Sequence, residues 1–161
     1  MKLKNPFLTA GYAGEEYFCD RRRETAKMIA AFENDRNLTL IAPRRYGKTG
    51  LIKNVLAKMP AEFTGIYLDI FSIENLASFA AAFASAVTGA LDSPVDKTLS
   101  AVARFFKSCR PTITPQEDGT PRFSFDIAPS AAAATLDDTF AYLKAKERRA
   151  VIAIEDRKSV V

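Results

Sequence analysis

The chain has 161 residues, 48% of them hydrophobic and 26% charged, with a formal net charge of +4. That length suits one domain with its own core, and no apolar run approaches the ~18 residues of a bilayer span. The basic start, Met1-Lys2-Leu3-Lys4-Asn5-Pro6, lacks the apolar stretch of a signal peptide, so a cytoplasmic α/β domain is the expectation. Histidine is absent, which excludes His-based acid–base catalysis and His-ligated zinc. Cys19 and Cys109 fit no metal-ligand spacing and read as reduced thiols. The charge is compatible with an anionic ligand or nucleic acid and selects neither.

In chain order, the first apolar run is 37–42 (Asn-Leu-Thr-Leu-Ile-Ala), bounded by the polar patch Glu33-Asn34-Asp35-Arg36. Its brevity predicts a buried strand. From Lys48 the spacing becomes helical, with Leu51, Ile52, Val55, Leu56 and Met59 on one face before Pro60. A second strand is predicted over 64–71, then an alanine-rich helix over 73–91 in which Leu76, Phe79, Ala80, Phe83 and Val87 recur at threes and fours. Asp92-Ser93-Pro94 ends it, and a short helix is expected over 97–107. The stretch 111–127 combines a turn signal, Glu117-Asp118-Gly119-Thr120, with the period-two run Arg122-Phe123-Ser124-Phe125-Asp126-Ile127. It reads as a hairpin inserted beside the core sheet. A helix over 131–146 and a strand over 150–154 complete the order.

The chemistry concentrates in Ala42-Pro43-Arg44-Arg45-Tyr46-Gly47-Lys48-Thr49, placed between the first predicted strand and a helix. Strand, glycine-bearing turn and helix are what a phosphate-binding loop needs, because backbone N–H groups and the helix dipole then face the anion. Gly47 lets the backbone approach phosphate, Lys48 contacts the β- and γ-phosphates, and the Thr49 hydroxyl suits Mg²⁺. Pro43, Arg44, Arg45, Tyr46 and Gly50 complete the expected nucleotide-binding run. Arg44 and Arg45 are read equally well as phosphate contacts or as solvated loop arginines. Ala42 stands where the consensus has glycine.

These residues resemble the AAA-type ATPases of the STAND kind, whose loop runs Pro-Arg-Arg-x-Gly-Lys-Thr. That family also carries two hydrophobic residues followed by Gly-Arg-x-x-Glu. Here Phe18-Cys19-Asp20-Arg21-Arg22-Arg23-Glu24 matches at Arg21 and Glu24, with Asp20 in place of glycine. The resemblance implies that the Arg21 region lies near adenine and ribose, whereas Arg22 and Arg23 read as a solvated helix start. It further implies a P-loop NTPase three-layer sandwich with a mainly parallel sheet over 1–155, binding ATP with Mg²⁺.

The family places a Walker B acid after four hydrophobic residues; here Val151-Ile152-Ala153-Ile154 precede Glu155-Asp156, and Glu155 falls at the Mg²⁺ position. Residues 156–161 are what the codons GAT CGG AAG AGC GTC GTG would encode, a string found in a common short-read sequencing adapter. On that reading a native Asp codon cut after GA and completed by A becomes Glu155, and 156–161 are a non-native tail. ATP hydrolysis, a water-activating glutamate, a sensor, an arginine finger and homo-oligomer formation are then expected only of a longer parent. The family's sheet would also place a later strand between 38–42 and 150–154, so the chain alone is expected to be aggregation-prone. Two other classes remain open. One is a slow nucleotide-dependent switch or scaffold. The other is a nucleic-acid-binding module, which no aromatic-basic stripe or helix-turn-helix supports.

Overall fold

The computed structural model describes residues 12, 14, 18, 21–43, 45–91, 102–115 and 121–156. The chain divides into two compact units, one ending at Ala61 and the other starting at Glu62.

The first unit holds two helices. Helix α1 spans Arg22–Glu33 and carries Glu24 in its first turn, where a negative charge suits the helix dipole. It closes on Asp35 in the left-handed region (φ 54°), with the Arg36 N–H donating to Ala31 O at 2.9 Å. Helix α2 spans Lys48–Lys58 and ends before Pro60, whose ring disfavours helical backbone at Met59. Its inner face is Leu51, Asn54 and Val55. The Asn54 amide donates to Thr25 Oγ1 at 3.3 Å, a buried bond from α2 to α1.

The predicted strand over 37–42 does not form. These residues have no strand pairing, Leu38 is 48% exposed and Ile41 is 88% exposed. An extended apolar run becomes a strand only when a neighbour takes its backbone hydrogen bonds. No such neighbour lies among the described residues.

The second unit is α/β. Strand β1 (Phe63–Asp69) and strand β4 (Arg149–Glu155) form a two-stranded parallel sheet, in register from Phe63 opposite Arg149 to Asp69 opposite Glu155. Parallel neighbours need a crossover, and here it contains everything between them in the chain. Helix α3 spans Leu76–Leu91. It starts later than the predicted 73 because Asn75 caps it. Asn75 Oδ1 accepts the Ser78 N–H at 2.9 Å, and Ser78 Oγ accepts the Asn75 N–H at 3.1 Å, a reciprocal box. Strands β2 (Arg110–Pro115) and β3 (Pro121–Asp126) form the expected hairpin as a separate antiparallel sheet. A 3₁₀ turn, Pro129–Ala131, leads into helix α4, Ala132–Ala145. The helix expected over 97–107 falls largely outside the described residues; Val102 and Ala103 are helical, and a turn follows at Arg104 and Phe105.

One core serves this unit. Ile66 and Leu68 of β1 meet Phe83, Ala84 and Val87 of α3, Phe123 and Phe125 of β3, Phe106, and Tyr142 of α4. The period-two pattern of β3 is the reason that both its phenylalanines point inward. Phe106 and Phe125 have ring centroids 4.6 Å apart, and Phe105 packs edge-on against Tyr142 at 5.1 Å. Ser85 Oγ, buried on α3, donates to Phe123 O at 2.6 Å and accepts from Arg122 Nε at 3.1 Å. The hairpin thus forms a sheet of its own, apart from β1 and β4, and is bonded to α3 through Ser85. No described helix is long and apolar enough to cross a membrane.

Candidate functional site

The loop before α2 owes its shape to two left-handed residues. Arg45 has φ 64°, and Gly47, the residue capping α2, has φ 69° and ψ 25°. Glycine adopts that region without a steric cost, whereas an L side chain pays for it. Between them the Tyr46 N–H donates to Pro43 O at 3.4 Å, closing a turn, and the Tyr46 ring is exposed. The first intrahelical bond of α2 runs from the Leu51 N–H to Gly47 O at 3.0 Å. The amides of Lys48, Thr49 and Gly50 thus belong to the open first turn of the helix.

Lys48 lies on that first turn and bends back over the loop. Its Nζ donates to Ala42 O at 2.7 Å and to Pro43 O at 3.1 Å. Arg21 reaches the loop from the start of α1, donating through Nη1 to Tyr46 O at 3.0 Å, and its Nε lies 3.5 Å from Glu24 Oε1. The matched residues of the upstream motif, Arg21 and Glu24, therefore pair with one another, and Arg21 also holds the loop. Gly50 is under no comparable constraint, since a Cβ there would stand 3.8 Å from the Phe18 ring, an ordinary contact. Arg44 lies outside the described residues.

The same unit contains a cavity of about 680 Å³ between α1 and α2, within the usual size of small-molecule sites. Phe18, Arg21, Arg22, Thr25, Asn54 and Lys58 line it, with three cationic side chains and no carboxylate. Asn54, only 1% exposed, takes a hydrogen bond from the Tyr12 hydroxyl at 3.4 Å on its Oδ1. Neither Asn54 nor Phe18 was singled out as a site residue by motif. Asn54 could have been found as a polar residue at i+3 from Leu51, within the apolar stripe of α2.

Glu155, the expected metal ligand, belongs to the second unit. It closes β4, is 5% exposed, and accepts the Tyr67 hydroxyl at 2.6 Å on Oε2. Asp69 stands opposite it in register at the end of β1, and Asp69 Oδ1 accepts the Phe71 N–H at 3.0 Å. Two acids at the carboxyl ends of adjacent parallel strands occupy the edge where open α/β sheets hold ligands. Among the described residues no group of three or more Cys, Asp or Glu is arranged to enclose a metal ion. Thr49 lies in the first unit and Glu155 in the second, and Mg²⁺ held by either would take its remaining ligands from phosphate oxygens and water, as that ion usually does.

Comparison of the chain with protein-family models, with curated proteins and with solved structures finds no match in any of the three.

Proposed function

We propose that the 42–50 loop binds the phosphates of ATP as its Mg²⁺ complex, in an α/β domain of the P-loop NTPase kind related to the STAND ATPases. The observation that carries this reading is the left-handed Gly47 at the N-terminus of α2, followed directly by Lys48 with its ammonium held over the loop. A helix start favours an anion through its amides and dipole, and left-handed residues in a short turn aim further N–H groups the same way. Lys48 now bonds two neutral carbonyls, and an incoming phosphate offers it a charge-assisted bond instead. Thr49 supplies a hydroxyl for the metal, and Arg21 ties the loop to α1 and to the cavity. The base and ribose are assigned to that cavity, where the Phe18 ring offers a stacking face and Arg21, Arg22 and Lys58 offer cationic donors.

We assign nucleotide binding, and not hydrolysis, to this loop. The loop carries Arg44, Arg45 and Lys48 and no acid. Glu24 is paired with Arg21, which itself bonds the loop. Bound nucleotide would be held and screened here without a base to activate water.

A fluorescent ATP analogue with Mg²⁺, titrated against the wild type and Lys48→Ala, tests the reading. Losing a hydrogen bond to a charged group costs about 1.5–3 kcal/mol, so affinity should fall by roughly 10- to 150-fold. Equal affinities would overturn the proposal. Phosphate release by the wild type should remain at the level of the Lys48→Ala control.

A further inference from the structure

Arg21 grips the 42–50 loop at a single peptide, the one joining Tyr46 to Gly47. Its Nη1 donates to Tyr46 O at 3.0 Å, and its Nε lies 3.5 Å from Glu24 Oε1. In a planar trans peptide the C=O and the following N–H point in opposite directions. Fixing the Tyr46 carbonyl on Arg21 therefore turns the Gly47 N–H to the opposite side of that peptide. This N–H donates to no backbone acceptor among the described residues. A Cβ at Gly47 would stand 3.8 Å from Arg21 Nη1, so the guanidinium lies against the left-handed residue itself.

We propose that Arg21 is a positioning residue for phosphate, acting through the Tyr46–Gly47 peptide. The inference rests on the phosphate-binding reading of the loop. The resemblance sets the Arg21 region beside adenine and ribose, whereas the bond it makes sets it on the loop. Glycine takes positive and negative φ about equally well, so a peptide at Gly47 has several conformations open unless something outside it chooses one. Left-handed residues in a short turn make an anion cradle only while their N–H groups converge. The other ties on this loop are weaker, or are lost on binding. The Tyr46 N–H to Pro43 O bond is long at 3.4 Å, and Lys48 must leave the carbonyls of Ala42 and Pro43 to reach a phosphate. The Arg21 bond is the one that a ligand need not break. Its contribution is geometric more than coulombic, because Glu24 already offsets the charge.

Inorganic tripolyphosphate with Mg²⁺ has three linked phosphates and no base or ribose, so it isolates the loop. In calorimetric titrations of the full chain, Arg21→Ala should bind it roughly tenfold more weakly than the wild type, since only the competent fraction of the loop binds. ATP should weaken by at least the same factor, with the circular dichroism spectrum unchanged. Glu24→Gln leaves Arg21 in place but slackens the guanidinium, and should weaken tripolyphosphate roughly twofold, the scale of an exposed ion pair. Were Arg21 acting by charge, that same change would unmask the charge and tighten binding. In nuclear magnetic resonance spectra of the free protein, Arg21→Ala should shift the Gly47 amide while the α2 amides from Leu51 onward stay in place. Tripolyphosphate affinity equal to that of the wild type in Arg21→Ala would overturn the proposal, and so would unchanged or tighter binding in Glu24→Gln. Amide shifts as large along α2 as at Gly47 would mean that Arg21 only supports the helices. A wild type that binds neither ligand removes the phosphate reading itself, and this inference with it. If Arg21→Ala fails to fold, Glu24→Gln decides the matter alone.

Discussion

Replacing Gly47 separates what the loop needs for its own shape from what it needs for a ligand. At φ 69° and ψ 25° an L residue is strained, by roughly 1–2 kcal/mol for alanine. Alanine recovers part of this, about 0.4–1 kcal/mol, because the unfolded chain loses less freedom than with glycine. No steric penalty is added, since the nearest atom to a Cβ at this site is Arg21 Nη1 at 3.8 Å. The net loss for Gly47→Ala is on the order of 1 kcal/mol. With a urea dependence of about 1–3 kcal/mol per molar, the midpoint should move down by roughly 0.5 M. Gly47→Asn, a residue that tolerates the left-handed region, should lose less than half as much. Both variants place a Cβ where phosphate is proposed to approach the backbone, so both should weaken nucleotide binding, whatever their stability. Urea titration and fluorescent-nucleotide titration of the three proteins check the two effects independently. If Gly47→Ala is as stable as the wild type, the left-handed cap is not a constraint. If Gly47→Asn binds nucleotide normally, phosphate does not pass over this residue.

Three further outcomes follow from particular contacts. Ser85→Ala strips the Phe123 carbonyl and the Arg122 Nε of a shared buried partner and should destabilise the second unit by about 1–3 kcal/mol in thermal or urea melts; a loss below ~0.5 kcal/mol would mean water replaces the hydroxyl. Burial raises the Cys109 thiol above its ordinary 9.0, with Asp138 adding to the rise and a Thr135 hydrogen bond opposing it. The fold therefore favours the protonated thiol, a contribution present below pH 9.0 and lost as pH rises through the elevated midpoint. The pH–rate profile for iodoacetamide in a Cys19→Ser background should have its midpoint above 9.0, lower in Asp138→Asn; a midpoint at or below 9.0 refutes the burial argument. Hydrogen exchange should find the amides of 37–42 nearly unprotected and those of Val151, Ala153 and Glu155, which face β1, strongly protected; equal protection would show that 37–42 is paired after all.

The elements legible in the sequence are those whose period is enforced by the core beneath them. Phe79, Ala80, Phe83 and Val87 recur at helical spacing because α3 lies on β1 and β3, and they predicted that helix to within three residues. Phe123 and Phe125 alternate because β3 turns one face to the same core. The start of α3 was harder to read. Asn75 and Ser78 form the box with a hydroxyl at the position usually given to Glu or Gln, so the familiar pattern is absent. The pairing of β1 with β4 was also invisible to any local window, since it depends on how the crossover packs. The same holds for the Tyr67–Glu155 bond that this pairing makes.

The candidate site divides along the same physical line. The left-handed turn at Gly47 and the helix start at Lys48 could be read because such a turn is local, made by the backbone of a few consecutive residues, and a phosphate site proposed there would be local in the same way. The strand over 37–42 could not be read from its own pattern, although Leu38, Leu40 and Ile41 satisfy every compositional rule for one. Burial and pairing of a strand are properties of its neighbours, and here the neighbours supply neither. The consequence reaches the loop. Lys48 holds the carbonyls of Ala42 and Pro43, so the end of that unpaired segment is tied to the start of α2 by one ammonium group. A ligand that draws Lys48 onto its phosphates releases those carbonyls, and a strand laid beside 37–42 would hold the segment from its other end. If the loop binds nucleotide as proposed, ordering of the 37–42 backbone and occupancy of the loop would be coupled through Lys48. Because coupling between sites is reciprocal, whatever pairs with this segment would then alter nucleotide affinity, and nucleotide would alter the pairing by the same factor.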